Sequence, residues 1–190
     1  MALKLITGPA VEPVSRAEVK DSLGIRDTVS DDKIDRLIIA ARKYAENNMR
    51  IAIINQTWEL ALDQFPEEIE LTKTPASSIT QITYIDTAGS TQTLSALTYG
   101  LDNYGVRHWV LPAIDQEWPD TYDTANAVKV RWVAGFGADS TAVPEEIRQA
   151  IMLTVGHWVN YQSEAELGTS VLMVPRAVDQ LLSPHRIHLI

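Results

Sequence analysis

The four histidines are the residues of this chain best suited to hold a metal or to move a proton near neutral pH: His108, His157, His185 and His188. A zinc site needs three or four donors that converge from fixed elements. These histidines instead fall in a predicted strand, a predicted helix and the C-terminal segment. The chain contains no cysteine, which excludes disulfides, thiolate zinc sites and cysteine nucleophiles. We therefore predict structural imidazoles, with no metal and no cofactor.

A glycine pair, Gly135 and Gly137, follows an apolar run and is similar to part of a phosphate-binding loop. A dinucleotide-binding loop needs a third glycine three residues after the second, and a helix that begins at once. Ser140 stands at that position, and the next predicted helix opens only at Pro144. The sequence therefore predicts a strand-to-helix turn here, with no nucleotide site.

The acidic pairs at 31–32, 67–68 and 145–146 suit helix starts and solvated turns better than a general acid/base couple. No G-x-S-x-G nucleophile motif is present. A small hydrolase with two carboxylates in a cleft stays open as an alternative, although the sequence offers no pair to name. We predict that the chain is not an enzyme.

The chain has five tryptophans, which are large enough to stack on bases or sugars. Stacking on nucleic acid needs a basic groove around the ring, and the surroundings here are acidic. Trp58, Trp109 and Trp132 alternate with polar neighbours, so we predict that they lie in the core. Trp118, which precedes Pro119 in a loop, is predicted to be exposed. It leaves open a carbohydrate- or host-surface-binding β module.

The composition is that of a globular protein, with 190 residues of which 45% are apolar and 22% charged. No apolar run approaches the roughly 20 residues of a membrane span, and residues 1–9 lack the features of a secretory signal. The 16 basic and 25 acidic residues give a net charge of −9, which argues against wrapping a DNA backbone. Residues 51–136 alone hold 4 basic and 11 acidic side chains. We interpret this middle segment as a separate module.

Helical patterns occupy both ends of the chain. Ser15 and Glu18 form a capping box at the start of a short helix that stops at Gly24. A second helix, from Asp31 to about Asn48, carries one apolar stripe: Ile34, Leu37, Ile38, Ala41, Tyr44 and Ala45. Helices are also predicted from 144 to about 162 and from 175 to 182, joined by a polar loop over 163–170.

Between these helices the apolar period changes to two, which is typical of strands. Six segments alternate in this way: 56–63, 68–73, 78–86, 91–94, 106–111 and 127–133. Prolines separate them, as is usual between short strands. They predict a small antiparallel sandwich or barrel.

Together these patterns predict an α+β fold in which a small antiparallel β module is inserted into a helical body. We expect an N-terminal helical part over 1–50, an inserted β-strand module over 51–136 and a C-terminal helical part over 137–183. The remaining segment, 184–190, is predicted to be an apolar tail that binds a partner.

The order and spacing of several segments resemble a known family, the head–tail connector (adaptor or head-completion) proteins of tailed bacteriophages, prophages and gene transfer agents. The resemblance covers nearly the whole chain. It rests on residues 5–20, the acid-led helix through 38–42, and residues 56–58, 130–137, 143–151 and 155–158.

This resemblance implies a structural virion protein at the head–tail interface, made in the cytoplasm of a bacterial host. Such proteins form a twelve-fold ring below the portal protein, extend the DNA channel without binding DNA specifically, and dock a stopper or tail terminator protein. The family's C-terminal segment contacts the portal, and we carry this over to Arg186, Ile187, His188, Leu189 and Ile190.

An acidic wall would let DNA slide, because it repels phosphates. Glu164 and Glu166, in the predicted polar loop, are the candidate channel-facing residues. Contacts in a cyclic ring join two different faces. The charge split suggests that Arg36, Arg42 and Lys43 meet the acidic middle of the next subunit.

Overall fold

The structure, a computed structural model, describes residues 1–26, 28, 31–165 and 176–187. Within these residues it is an α+β fold with antiparallel sheets, as predicted. No helix in this part of the chain has the length and apolarity to cross a bilayer. The elements are β1 (Ala2–Thr7), α1 (Arg16–Leu23), α2 (Asp31–Met49), β2 (Gln56–Leu62), β3 (Ile69–Leu71), β4 (Ala76–Ile85), β5 (Thr91–Thr93), β6 (Tyr99–Asp102), β7 (His108–Pro112), β8 (Val128–Ala134), α3 (Glu145–Ala165) and α4 (Arg176–Leu182).

The chain divides into two compact units, each built from two stretches of sequence. The strand unit comprises residues 1–9 and 55–136, and the helical unit comprises residues 10–54 and 137–190. The chain therefore begins in the strand unit, enters the helical unit, returns to the strands and ends among the helices.

The strand unit contains two antiparallel sheets, with strand orders β1-β2-β8-β4-β5 and β3-β7-β6. Strand β8 is central in the larger sheet, and its residues alternate between the core and the outer face. Val128, Val130, Trp132 and Ala134 are buried. On the outer face Arg131 pairs with Glu59 of β2 at 2.6 Å.

Two polar contacts join the segment around the start of β4 to other strands of the strand unit. The indole N–H of Trp132 donates to the Lys73 carbonyl at 2.9 Å. The Ala76 N–H donates to Nδ1 of His108 at 2.9 Å. Because buried polar groups need partners, these bonds fix the ends of β3 and β4 against β8 and β7.

The prediction that residues 1–50 form an N-terminal helical part is wrong for residues 2–7, which form strand β1. Residues 2–7 pair with β2, and all six are exposed. A short edge strand with solvent on both faces has no buried side to impose a strong alternating pattern. Strand β6 was also not predicted, because glycine and aspartate, which occupy positions 100 and 102, are unfavourable in strands.

The helical unit begins with the predicted capping box. Oγ of Ser15 accepts from the Glu18 N–H at 3.2 Å, and the Glu18 carboxylate accepts from the Ser15 N–H at 2.7 Å. Gly24 ends α1 with φ of 67°, a left-handed conformation that glycine adopts without strain. Helix α2 then buries Ile34, Ile38, Ala41, Ala45 and Met49.

Helix α3 is longer than predicted and continues to Ala165. Residues 163–165, predicted to start a polar loop, are therefore helical, while the rest of that loop lies outside the described residues. The helix buries Ile147, Ile151 and Val155. Trp158 meets Tyr44 of α2 edge to face, with 6.3 Å between ring centroids.

A buried arginine holds three segments of the helical unit together. Arg42 on α2 is only 5% exposed. Its Nε lies 2.7 Å from a Glu12 oxygen, and its Nη1 lies 2.8 Å from a Glu46 oxygen. The other Glu46 oxygen accepts from the Ile53 N–H at 3.0 Å. Burial acts to lower the pKa of Arg42, but the hydrogen bond to Glu12 and the charge of Glu46 outweigh it and raise the pKa.

We expect Arg42→Met to lower the free energy of unfolding by about 3–5 kcal/mol, because it leaves two carboxylates without their cation. Lys43→Met, on the exposed neighbour, should change the free energy by less than about 0.5 kcal/mol. Urea unfolding followed by circular dichroism measures both. A loss below about 1 kcal/mol for Arg42→Met would show that the buried pairs are dispensable.

We expect the strand unit to lose stability as the pH falls below 6.5, the usual pKa of histidine. Burial lowers the pKa of His108 below its usual 6.5, against the opposing hydrogen bond to Gly105. The unfolded chain therefore binds the proton first, and stability present above pH 6.5 is lost as the pH falls toward the folded pKa. Thermal melts should give His108→Asn a shallower pH dependence than His185→Asn. Equal slopes would contradict this assignment.

Candidate assembly surfaces

The residues first considered for chemistry have structural contacts. Within the described part of the chain, no group of three histidine or acidic side chains is placed to hold a metal ion. The Gly135 N–H donates to the Pro75 carbonyl at 2.8 Å. A side chain at Gly137 would collide with Ala142, so glycine is needed for close packing of this turn.

Trp118 is half-buried, which corrects the prediction that it is exposed. Its ring stacks on Phe65 with 4.8 Å between centroids and an interplanar angle of 6°. Its indole N–H donates to the Glu67 carbonyl at 3.2 Å. One face of the ring is therefore covered by the protein itself, which weakens the case for Trp118 as a sugar-binding platform.

The three basic residues predicted to contact a neighbouring subunit differ in their surroundings. Arg36 and Lys43 are exposed, and they lie seven residues apart, which places them on one side of α2. Within the described residues, neither makes an ion pair. Arg42 instead lies inside the helical unit with both of its ion pairs in its own chain. The prediction that Arg42 contacts a neighbouring subunit is therefore wrong, because a buried guanidinium cannot reach a neighbour.

An open cleft of about 400 Å³ lies on the side of α2 that carries Ile39. We call it the α2 groove, and its apolar lining comes from Val11, Val14, Ile38 and Ile39. Val11 is 43% exposed and Ile39 is 39% exposed. The predicted apolar stripe of α2 includes Ile38 and leaves out Ile39, in keeping with the exposure of Ile39, but it did not predict a cleft there.

The acidic residues that line the α2 groove have partners in their own chain. A carboxylate oxygen of Glu12 lies 2.7 Å from Nε of Arg42, and a carboxylate oxygen of Asp35 lies 3.4 Å from Nη1 of Arg16. The hydroxyl and N–H of Thr141 donate to Asp139 and lower the pKa of that carboxyl. The charges that line the groove are thus engaged within the chain, and Arg36 and Lys43 are not among its lining residues.

The start of the C-terminal segment is attached to the helical unit. Arg186 donates to Asn48 Oδ1 and, at 2.9 Å, to an Asp179 oxygen. The Ile187 N–H donates to the Met49 carbonyl at 3.0 Å, at the end of α2. Residues His188, Leu189 and Ile190, which we predicted to contact a portal, lie outside the described residues.

The two candidate channel residues fall at the end of α3. Glu164 belongs to the last turn of the helix, and Glu166 lies outside the described residues.

Comparison with solved structures finds the same fold in gene transfer agent particles. A chain in the neck of an empty particle, computed with C6 symmetry, superimposes with a TM-score of 0.82 at 21% identity. Chains from the virion of a native particle and from its neck, computed with C12 symmetry, give TM-scores of 0.79 and 0.76 at 23% identity. Each match covers 100% of this chain and 97% of the other.

No curated protein matches this chain in a sequence search. A family model described as "Head completion protein" matches residues 13–187. This match covers most of the chain and confirms the resemblance inferred from residues 5–20 and the segments that follow. It also confirms the prediction of a non-enzymatic role, since this is a family of structural virion proteins. The chain belongs to the head completion protein family.

Proposed function

We propose that this chain is the head–tail connector subunit that forms a ring below the portal, extends the DNA channel and docks the next tail-side protein. The observation that carries the proposal is the family match over residues 13–187. The fold shared with chains in particle necks supports it. In this proposal the helical unit is the connector body, and the strand unit, built from residues 1–9 and 55–136, is the second part of the subunit.

The proposed ring has twelve subunits. The neck structures that share this fold were computed with C6 and C12 symmetry, and a twelve-fold ring is compatible with both. In a cyclic ring each subunit presents two different faces to its neighbours. Size-exclusion chromatography with light scattering, alone and with the portal protein, measures the number of subunits directly.

The C-terminal segment is the proposed portal contact. Its first residues attach it to the helical unit, and its last residues bind the portal. Arg186 and Ile187 hold the segment to the end of α2 through Asn48 and Met49. Beyond this attachment, Leu189 and Ile190 are apolar residues suited to a pocket on a partner. The attachment fixes the position of Ile187, after which the proposed portal-binding residues follow in sequence.

Two truncations separate attachment from docking. Removal of residues 188–190 should weaken portal binding at least tenfold, about 1.4 kcal/mol, without a change in melting temperature. Removal of residues 184–190 should weaken binding equally and also lower the melting temperature, because the contacts of Arg186 are lost. Surface plasmon resonance on immobilised portal and differential scanning calorimetry measure the two effects. Full binding by the shorter chains would move the portal contact elsewhere.

The proposed ring contact places Arg36 and Lys43 against the acidic strand unit of the next subunit. Opposite charges across an interface guide association and weaken with salt. The strand unit supplies the negative partner, since residues 51–136 hold 11 acidic side chains and only 4 basic ones.

Charge reversal tests this contact. Arg36→Glu with Lys43→Glu should reduce ring assembly at least tenfold at low salt, because attraction becomes repulsion. Arg26→Glu with Arg176→Glu makes the same change of charge at two other exposed positions of the helical unit and should have little effect. Light scattering at two salt concentrations measures assembly. Unchanged assembly of the first variant would exclude the contact.

The proposed channel wall is electronegative, with Glu164 and Glu166 as its candidate residues. Repulsion of phosphates would let DNA pass through the channel without being bound specifically. The net charge of −9 is in keeping with such a wall. Slower genome ejection from particles that carry Glu164→Lys with Glu166→Lys would support these positions, and an unchanged rate would remove them.

A further inference from the structure

The outer side of α2 carries three exposed cations at intervals of seven residues. Arg36 and Lys43 are two helical turns apart, and Arg50 follows two turns later, directly after the helix ends. The other residues of this side between them are uncharged: Ile39, Ala40 and Asn47. Three positive charges thus lie along about 21 Å of one helix. We call Arg36, Lys43 and Arg50 the cation stripe.

The charges of the cation stripe are not neutralised by ion pairs with other described residues. Arg50 also has φ of 64°, a left-handed conformation that glycine adopts more readily at the end of a helix. Non-glycine residues in such conformations concentrate at functional positions, where the surrounding structure sustains their cost. The outer side of α2 is therefore a helix face with positive charge available to a partner.

The available negative charge of the strand unit is gathered in two segments, 67–68 and 115–123. Of the 11 acids of this unit, five are engaged within it by ion pairs to arginine or by hydrogen bonds from backbone N–H groups: Glu59, Glu70, Asp63, Asp86 and Asp102. The other six are exposed and form no ion pair with a described residue: Glu67, Glu68, Asp115, Glu117, Asp120 and Asp123.

Trp118 joins the two segments that hold these six acids. Its indole N–H donates to the Glu67 carbonyl at 3.2 Å. The Tyr122 N–H donates to the Ile85 carbonyl at 3.0 Å, which attaches the later part of the same loop to the strand unit. The two segments therefore form one anchored surface, which we call the acidic patch.

The cation stripe and the acidic patch match in charge and in length. The acids of residues 115–123 lie along at most about 29 Å of chain, against about 21 Å for the stripe. No basic residue interrupts the patch, and no acid interrupts the stripe. Exposed charges of opposite sign on two surfaces favour their association and fix how the two surfaces meet.

We propose that, in the assembled ring, the cation stripe of one subunit docks on the acidic patch of the next subunit. This inference rests on the proposed ring. It adds Arg50 to the proposed contact of Arg36 and Lys43 and names the part of the neighbouring strand unit that they meet. The stripe belongs to the helical unit and the patch to the strand unit, so each chain carries the two different faces that a cyclic assembly needs.

A charge swap tests this pairing. Lys43→Glu with Arg50→Glu should reduce ring assembly at least tenfold, and Glu117→Lys with Asp120→Lys should do the same, because each change brings like charges together. The chain that carries all four changes restores opposite charges across the contact and should assemble within about threefold of the unmodified chain. Light scattering measures assembly, and circular dichroism checks that each variant is folded.

The matched control combines Lys43→Glu and Arg50→Glu with Asp21→Lys and Glu146→Lys. Asp21 and Glu146 are exposed acids of the helical unit that form no ion pair with a described residue, so the net charge changes equally. The control should stay defective. Equal rescue by the control, no rescue by the swap, or full assembly of the chain with Glu117→Lys and Asp120→Lys would overturn the contact and leave the proposed function standing. Failure of the unmodified chain to form any ring, alone or on the portal, would overturn both proposals.

A second measurement uses the unmodified chain and does not depend on how a variant folds. A carbodiimide joins an amine to a carboxylate that it contacts, and Lys43 supplies the only amine of the stripe. Rings assembled from equal parts of isotope-labelled and unlabelled subunits should give peptides in which Lys43 is linked to an acid of the patch, with one peptide labelled and the other not. The absence of links to the patch, or links only between peptides of the same label, would overturn the contact.

Discussion

The buried ion pairs of Arg42 are the constraint on which the helical unit depends. Arg42 ties Glu12, which precedes α1, to Glu46 near the end of α2. Glu46 in turn accepts a hydrogen bond from the backbone N–H of Ile53, just before the chain enters the strand unit. Removing this cation would free the entry to α1 and the exit from α2 together, because both depend on one guanidinium. The α2 groove adjoins these segments, so its shape rests on the same pairs.

The fold was largely predictable where a segment buries one side against a continuous core. Helix α2 and strand β8 show this, because their apolar periods extend over many residues. The pattern was insufficient for β1, which buries neither side and whose partner lies far along the chain. It also placed Arg42 at the surface, although the spacing of four residues to Glu46 was a signal for a pair within the chain.

The candidate surfaces were only partly accessible from the sequence. The cationic positions Arg36 and Lys43 follow from the polar side of a helix, and the family resemblance came from segments spread over the whole chain. The gathering of exposed acids into the acidic patch did not follow, because residues 67–68 and 115–123 are far apart in the chain. Their proximity depends on the indole N–H of Trp118, whose partner at Glu67 only coordinates reveal.

The order of the strands also governs how this chain emerges from a ribosome. Strand β2 pairs on one side with the first residues of the chain and on the other with β8, which is synthesised more than 60 residues later. The larger sheet therefore cannot close until β8 has left the exit tunnel, and long-range pairing of this kind is slow. During that interval the β1–β2 pair has an open edge, and the second stretch of the helical unit has yet to be made. Both units thus need segments that are synthesised long after β2 before their cores can close.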